Sequence, residues 1–234
     1  MSDESRGRGV EDRVAALEAA MEKRTRDLQA ALDQRTALLH ELDHRVKNNL
    51  QLISSLMLMQ ARRAEDPPVK AALIDMQQRL TAVGVVHRRL FQSDDVTRFD
   101  LSEFVRDMAA ELGWAAGRND IEIVHHLEPA MVPASNAASL ALLVNELMAN
   151  AFRHAFPHGR AGRLSITIAK ESDTLRIEIA DNGVGQSTGG IGDQGFGLMI
   201  VELLARQLQA CIERKDANPG LLVSVTMPAG SGDT

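Results

Sequence analysis

The sequence predicts an α+β chain in which a helical hairpin precedes an α/β sandwich. Three observations carry that expectation. From about Glu11 to Asp66 the chain is rich in Ala, Leu, Glu, Gln and Arg and holds neither glycine nor proline. After Pro67-Pro68 a second run repeats apolar residues at helical spacing. Beyond Ser93, helical periods alternate with strand-like alternation. These shifts divide the chain into a tail and helical lead-in over 1–37, a hairpin over 38–95 and an α+β domain over 96–231.

The first ten residues (MSDESRGRGV) are polar and glycine-bearing and are expected to be disordered. In the first long helix Val14, Leu17, Met21, Leu28, Leu32, Leu39 and Leu42 form an imperfect heptad-like stripe, the mark of a helix seeking a partner. Pro67-Pro68 should end it and start another helix, with Val69, Leu73, Met76, Leu80, Val83 and Leu90 as its stripe. One hairpin cannot bury both stripes, so a homodimeric four-helix bundle is the natural completion. Further on, Leu101 to Trp114 reads as a helix, Ile121 to Leu127 as a strand and Asn136 to His154 as a helix. Leu164-Ile166-Ile168 and Leu175-Ile177-Ile179 flank Glu171-Ser172-Asp173 as a hairpin. A glycine-rich loop, Gly183 to Gly197, leads to a helix ending near Gln209, followed by strands at Cys211 to Glu213 and Leu222 to Thr226.

Composition narrows the function. A net charge of -6 argues against a protein held on nucleic acid by phosphate contacts. The single Cys211 excludes an internal disulfide and fits a reducing compartment. The longest weakly polar stretch, Ala130 to Val144, is short and interrupted, so no membrane span is expected. With an acidic, polar N-terminus, a cytoplasmic location is expected.

Across HELDHRVKNNLQLISSL and its two flanking residues, Leu39, Leu42, Val46, Leu50, Ile53 and Met57 fall within a ~80° sector of a helical wheel. His44 lies roughly 160° from its centre, beside Asn48, Gln51 and Ser55, and is expected to face solvent. A neutral imidazole is a good nucleophile for a phosphoryl group, and an exposed one can be reached by two different proteins. The wheel permits this chemistry without establishing it.

Three later segments point to a nucleotide. In NELMANAFRHAF, Glu146 and Asn150 share a helix face, a carboxylate and a carboxamide suited to hydrated Mg²⁺, with Arg153 and His154 able to meet phosphate oxygens. In IEIADNGVG, Asp181 ends a strand where it can accept the exocyclic amine proton of adenine, and Gly183 and Gly185 let the backbone approach a ligand. Gly189 to Gly197, with Phe196 and Leu198 interleaved, reads as a lid leading into a helix N-terminus that favours phosphate. No GxxxxGK[ST] run occurs, which excludes a P-loop.

NELMANAFRHAF, DNGVG and GFGLMIVELL resemble the N, G1 and G2 boxes of the ATP-binding (Bergerat) fold of histidine kinases, gyrase, Hsp90 and MutL. LDHRVKNNLQLISSLMLMQAR resembles the phosphoacceptor segment of the HisKA_2 subfamily of sensor histidine kinases. The resemblance implies that His44 is the acceptor, Asn150 the Mg²⁺ ligand and Asp181 the adenine contact. It places Glu146 at the catalytic-carboxylate position, Arg153 and His154 on the phosphate side, and Gly183, Gly185, Gly195, Gly197 and Leu198 in the nucleotide loops. It further implies ATP and Mg²⁺ as cofactors and a response regulator as partner. With no sensor region recognisable ahead of the kinase segment, a separate sensor protein is a further expected partner.

The chain departs from the wider pattern in three places. Arg45 follows the acceptor where most histidine kinases carry a carboxylate, leaving Asp43 or Glu146 as the base. Arg176-Ile177-Glu178 stands in place of the Trp-x-Glu of the HWE group, and Leu221 replaces a frequent threonine. Two rivals stand beside the kinase: a histidine phosphotransferase whose ATPase-like domain is inactive, and an ATPase module of the gyrase–Hsp90 class.

Overall fold

The computed structural model describes residues 3–93, 95–115, 117–118, 120–185 and 196–229. The chain divides into two compact units, residues 1–49 and 50–234. Helix α1 (Asp3–Arg63) supplies all the described structure of the first unit and the opening of the second. The expectation of a disordered start is corrected for residues 3–10, because α1 begins at Asp3; Met1 and Ser2 lie outside the described residues. Leu17, Met21, Leu28, Leu32, Leu39 and Leu42 are exposed along α1.

In the second unit α1 ends before Pro67, and α2 (Pro67–Gln92) starts with proline in its first turn, as the sequence predicts. The Gln77 amide donates to Ser54 Oγ at 3.2 Å, tying the two helices. The face of α2 that packs differs from the expected stripe. Val69 and Met76 are exposed, whereas Ala82 and Val86 are buried. That face lies about 90° round the helix from the stripe and carries Asp75 and Arg79 as well. It is turned to α4 (Ala134–Asn150), whose interior is apolar and tightly filled.

Two short strands escaped the sequence reading. β1 (Arg98–Asp100) pairs antiparallel with β3 (Met131–Pro133), and Phe99 and Val132 face each other across the ladder, both buried. Three residues are too few to show a period. α3 (Leu101–Ala115), β2 (Ile121–Leu127), β4 (Gly162–Glu171), β5 (Thr174–Asp181), α5 (Phe196–Gln207), β6 (Cys211–Asp216) and β7 (Leu221–Pro228) fall where the sequence places them.

The main sheet has the order β2-β4-β5-β7-β6. β2 and β4 run parallel, and the other neighbours run antiparallel. A parallel pair needs a crossover, and α4 supplies it. Period-2 alternation buries Leu164, Ile166 and Ile168 of β4, Leu175, Ile177 and Ile179 of β5, and Val223, Val225 and Met227 of β7. One core joins these strands to Leu101 and Phe104 of α3, Leu140, Leu143 and Met148 of α4, and Val201 of α5. Phe104, 1% exposed, fills the layer between α3 and the β1–β3 pair. Phe104→Ala should cost about 4 kcal/mol, read as an earlier midpoint in urea denaturation. Among the described residues, no helix is long and apolar enough to cross a membrane.

Candidate functional site

His44 lies on α1 in the first unit and is exposed, as the wheel predicts. Most of its neighbours on α1 are exposed too, so exposure alone does not single it out. Its Nδ1 lies 3.3 Å from the Asn48 amide nitrogen one turn on, which leaves Nε2 as the ring nitrogen not so engaged. Arg45 is paired with Glu41 on the same surface. The side chain of Asp43 lies outside the described part.

In the second unit the residues that the sequence singled out fall into two groups, one around Glu146 and Asn150 of α4 and one around Asp181 of β5. Alternation along β5 turns Asp181 to the same inward face as Leu175, Ile177 and Ile179. Its Oδ1 accepts from the backbone N–H of Gly183 (2.9 Å) and of Leu221 (3.3 Å). Both bonds fall on Oδ1, so among the described residues Oδ2 is unpartnered. Burial pushes the Asp181 carboxyl above the usual carboxylate range, and the two N–H donors only partly offset this.

Two glycines let the chain close around this carboxylate. A Cβ on Gly183 would lie 2.1 Å from the Ala155 carbonyl oxygen. Gly220, with φ +105, would place one 1.8 Å from the carbonyl oxygen of Asp181 itself. The glycine after Asp181 thus serves close chain packing as well as any ligand. Gly185 lies at the end of the same turn, and Gly195 lies outside the described residues along with most of the expected lid.

α4 ends at Asn150 rather than continuing to His154, and Ala151–Ala155 form a π-helical turn. Such turns recur at functional sites because the extra residue redirects side chains. Here Arg153 donates to Asp75 of α2 at 2.9 Å, and His154 is exposed. Leu198, on the first turn of α5, is half-buried.

Glu146 is 1% exposed, and both its oxygens are taken. Arg79 of α2 donates from Nε to Oε1 at 2.7 Å and from a terminal nitrogen to Oε2 at 2.8 Å. A role for Glu146 as base or metal ligand therefore requires this fork to open. At the start of α5, a Cβ on Gly197 would lie 2.9 Å from Glu146 Oε2 and 3.7 Å from Asn150 Oδ1. The Phe196 ring centroid lies 5.2 Å from the Arg79 guanidinium carbon.

Arg79 and Asp75 escaped the sequence reading because their partners lie 67 and 78 residues away. One signal was present: Arg79 shares a helix face with Ala82 and Val86, three and seven residues on, and an arginine on an apolar face asks for a buried acid. Among the described residues no group of three or more His, Cys, Asp or Glu side chains is arranged to hold a metal ion. A cation here would have to share its shell with Asn150, phosphate and water, a habit that fits Mg²⁺.

A family model described as histidine kinase matches residues 41–115, and one described as histidine kinase-like ATPase domain matches residues 121–227. The chain belongs to the histidine kinase family. The first match holds His44 and Arg79, and the second holds Glu146, Asn150 and Asp181. Sensor histidine kinase PdtaS of Mycobacterium tuberculosis is 30% identical over 200 residues, 83% of this chain and 40% of that protein. The blue-light-activated histidine kinase of Rhizobium johnstonii is 30% identical over 194 residues, 82% of this chain and 53% of its own length. The chain thus spans about half or less of these two histidine kinases. In structure it resembles the Erythrobacter litoralis EL346 blue-light activated histidine kinase, with a TM-score of 0.61 at 24% identity over 83% of this chain and 63% of that one. At that identity the likeness carries the histidine-kinase fold, a helical region followed by the mixed sheet domain.

Proposed function

We propose that this chain is a two-component sensor kinase that phosphorylates its own His44 from Mg-ATP and passes the phosphoryl group to an aspartate of a response-regulator receiver domain. The observation that carries the reading is the turn after β5, which packs on the π-helical turn that follows α4. There a buried carboxylate, Asp181, keeps one oxygen available within a histidine kinase-like ATPase domain. Asp181 Oδ2 receives the exocyclic amine of adenine. Asn150 holds Mg²⁺ through its amide oxygen, and the ion, when bound, neutralises phosphate charge.

In the transfer, a His44 ring nitrogen forms the N–P bond while the bond from the γ-phosphorus to the β-bridging oxygen breaks and ADP leaves. The ring proton passes to a base, for which Asp43 is the local candidate. Arg153 and His154 stand on the phosphate side, and Gly183, Gly185, Gly195, Gly197 and Leu198 line the nucleotide loops. The phosphohistidine is high in transfer potential, which suits relay to an aspartate. The exposed stripe of α1 supports a homodimer through residues 38–95, and a separate sensor protein is a further partner. A cytoplasmic setting agrees with the single cysteine.

Incubation with γ-labelled ATP and Mg²⁺ tests this. Acid-labile, alkali-stable label is expected on the parent chain and on neither His44→Gln nor Asn150→Ala. A parent that takes no label from ATP, yet accepts phosphoryl from a phosphorylated regulator, would replace the kinase with a phosphotransfer protein.

A further inference from the structure

We propose that Arg79 is the positioning residue of this kinase: its fork on Glu146 fixes α2 over the nucleotide helix and sets where the phosphates stand for transfer. The inference rests on the function proposed above and adds a residue to it. Arg79 touches three elements at once. It is rooted in α2, chelates Glu146 of α4 and lies against Phe196, the first residue of α5. Gly197 fits directly over the same carboxylate and over Asn150, so the fork and the Mg²⁺ side of the site share one packed corner.

The pair is deep, with side-chain exposures of 13% for Arg79 and 2% for Glu146. A buried ion pair contributes little net stability, because desolvation offsets attraction, but it specifies register. A one-turn slip of α2 along α4 would strand both charges without water. The neighbouring Arg153–Asp75 pair, at 36% and 30% exposure, can only assist. At the far end of α2, Arg89 pairs with Glu103 and Asp107 of α3. α2 is thereby pinned towards both ends, and of the pairs described the Arg79 fork is the buried one at the nucleotide corner. α2 also follows α1 directly after residues 64–66, so the helix that anchors the corner is continuous in sequence with the segment bearing His44. Transfer rates fall steeply with small displacements of the reacting atoms, so a residue that holds this corner acts on rate more than on affinity.

The test uses the full chain with Mg-ATP. Calorimetry gives affinity, and label on His44 at saturating ATP gives the rate. Arg79→Ala should phosphorylate about a hundredfold more slowly, with Mg-ATP affinity kept within about threefold. Arg79→Lys should regain little, since an ammonium cannot fork onto both oxygens. Glu103→Gln, which leaves Arg89 its Asp107 partner at the far end of α2, should stay near the parent. If Arg79→Ala fails to fold, Arg79→Gln keeps one donor for the stranded carboxylate, leaves Glu146 in place and should show the same split. A near-parent rate in either variant, or affinity lost in step with rate, overturns the proposal. A parent that takes no label, or whose ATP binding ignores Asn150→Ala, overturns the underlying function and the proposal with it.

Discussion

Gly220→Ala is expected to destabilise the second unit by about 3 kcal/mol and to lower Tm by roughly 10 °C. Two costs combine. At φ +105 an alanine is strained whatever the space around it, and its Cβ would lie 1.8 Å from the Asp181 carbonyl oxygen. Neither β5 nor β7 can yield cheaply, because they are paired from Thr174 against Pro228 to Ala180 against Leu222. The end of β5 must shift, and Asp181 with it. Leu221, whose N–H holds Asp181 Oδ1, is the next residue, so nucleotide affinity should fall together with stability. Thermal unfolding and calorimetric titration with ATP check this. An unchanged melting curve would mean the turn can rearrange without disturbing the strands.

Asp181→Asn should separate binding from folding. The asparagine oxygen can still accept from Gly183 and Leu221, so the unit should keep its fold. In place of Oδ2 it presents an NH₂ group to the adenine amine, a donor facing a donor. A loss of about a thousandfold in affinity is the expected scale when a buried polar match is broken in this way.

The parent should also show a pH dependence of definite sign. Burial raises the Asp181 carboxyl above its unfolded value, so the fold favours the protonated form. The stabilisation that this gives is present at low pH and lost as pH rises through the raised value. At neutral pH the carboxylate is therefore held ionised at some cost to stability. A bound adenine amine favours that ionised form, so ATP should bind more tightly as pH rises from about 4 towards neutrality. Asp181→Asn should lose that slope. A parent with flat affinity over the range would remove Asp181 from the adenine contact.

Much of the fold was legible because its signals are local. β4 and β5 announce themselves by alternation, and Pro67-Pro68 marks the helix boundary within its own neighbourhood. What stayed hidden depends on pairing across the chain. β1 and β3 exist only because each covers the other. The buried face of α2 is chosen by α4, so the stripe of larger side chains gave way to Ala82 and Val86. At the site, the positions of Asn150 and Asp181 follow from helix and strand periods. The occupation of Glu146 by Arg79 does not, because it joins two helices far apart in sequence. The π-helical turn at Ala151–Ala155 likewise defeats a wheel drawn at a constant angle, and with it the expectation of one regular helix from Asn136 to His154.

The order of the sheet has a consequence for how this chain meets others. It ends at β6, whose free edge would invite any extended segment to add itself as another strand. That strand carries Glu213, Arg214, Lys215 and Asp216 in succession, and Lys215 and Glu213 are paired at 2.7 Å on its surface. Charges of both signs along an edge make strand addition and sheet-to-sheet aggregation unfavourable. Phe196, Met199 and Leu203 of α5 and the leucines of α1 lie exposed on helices instead.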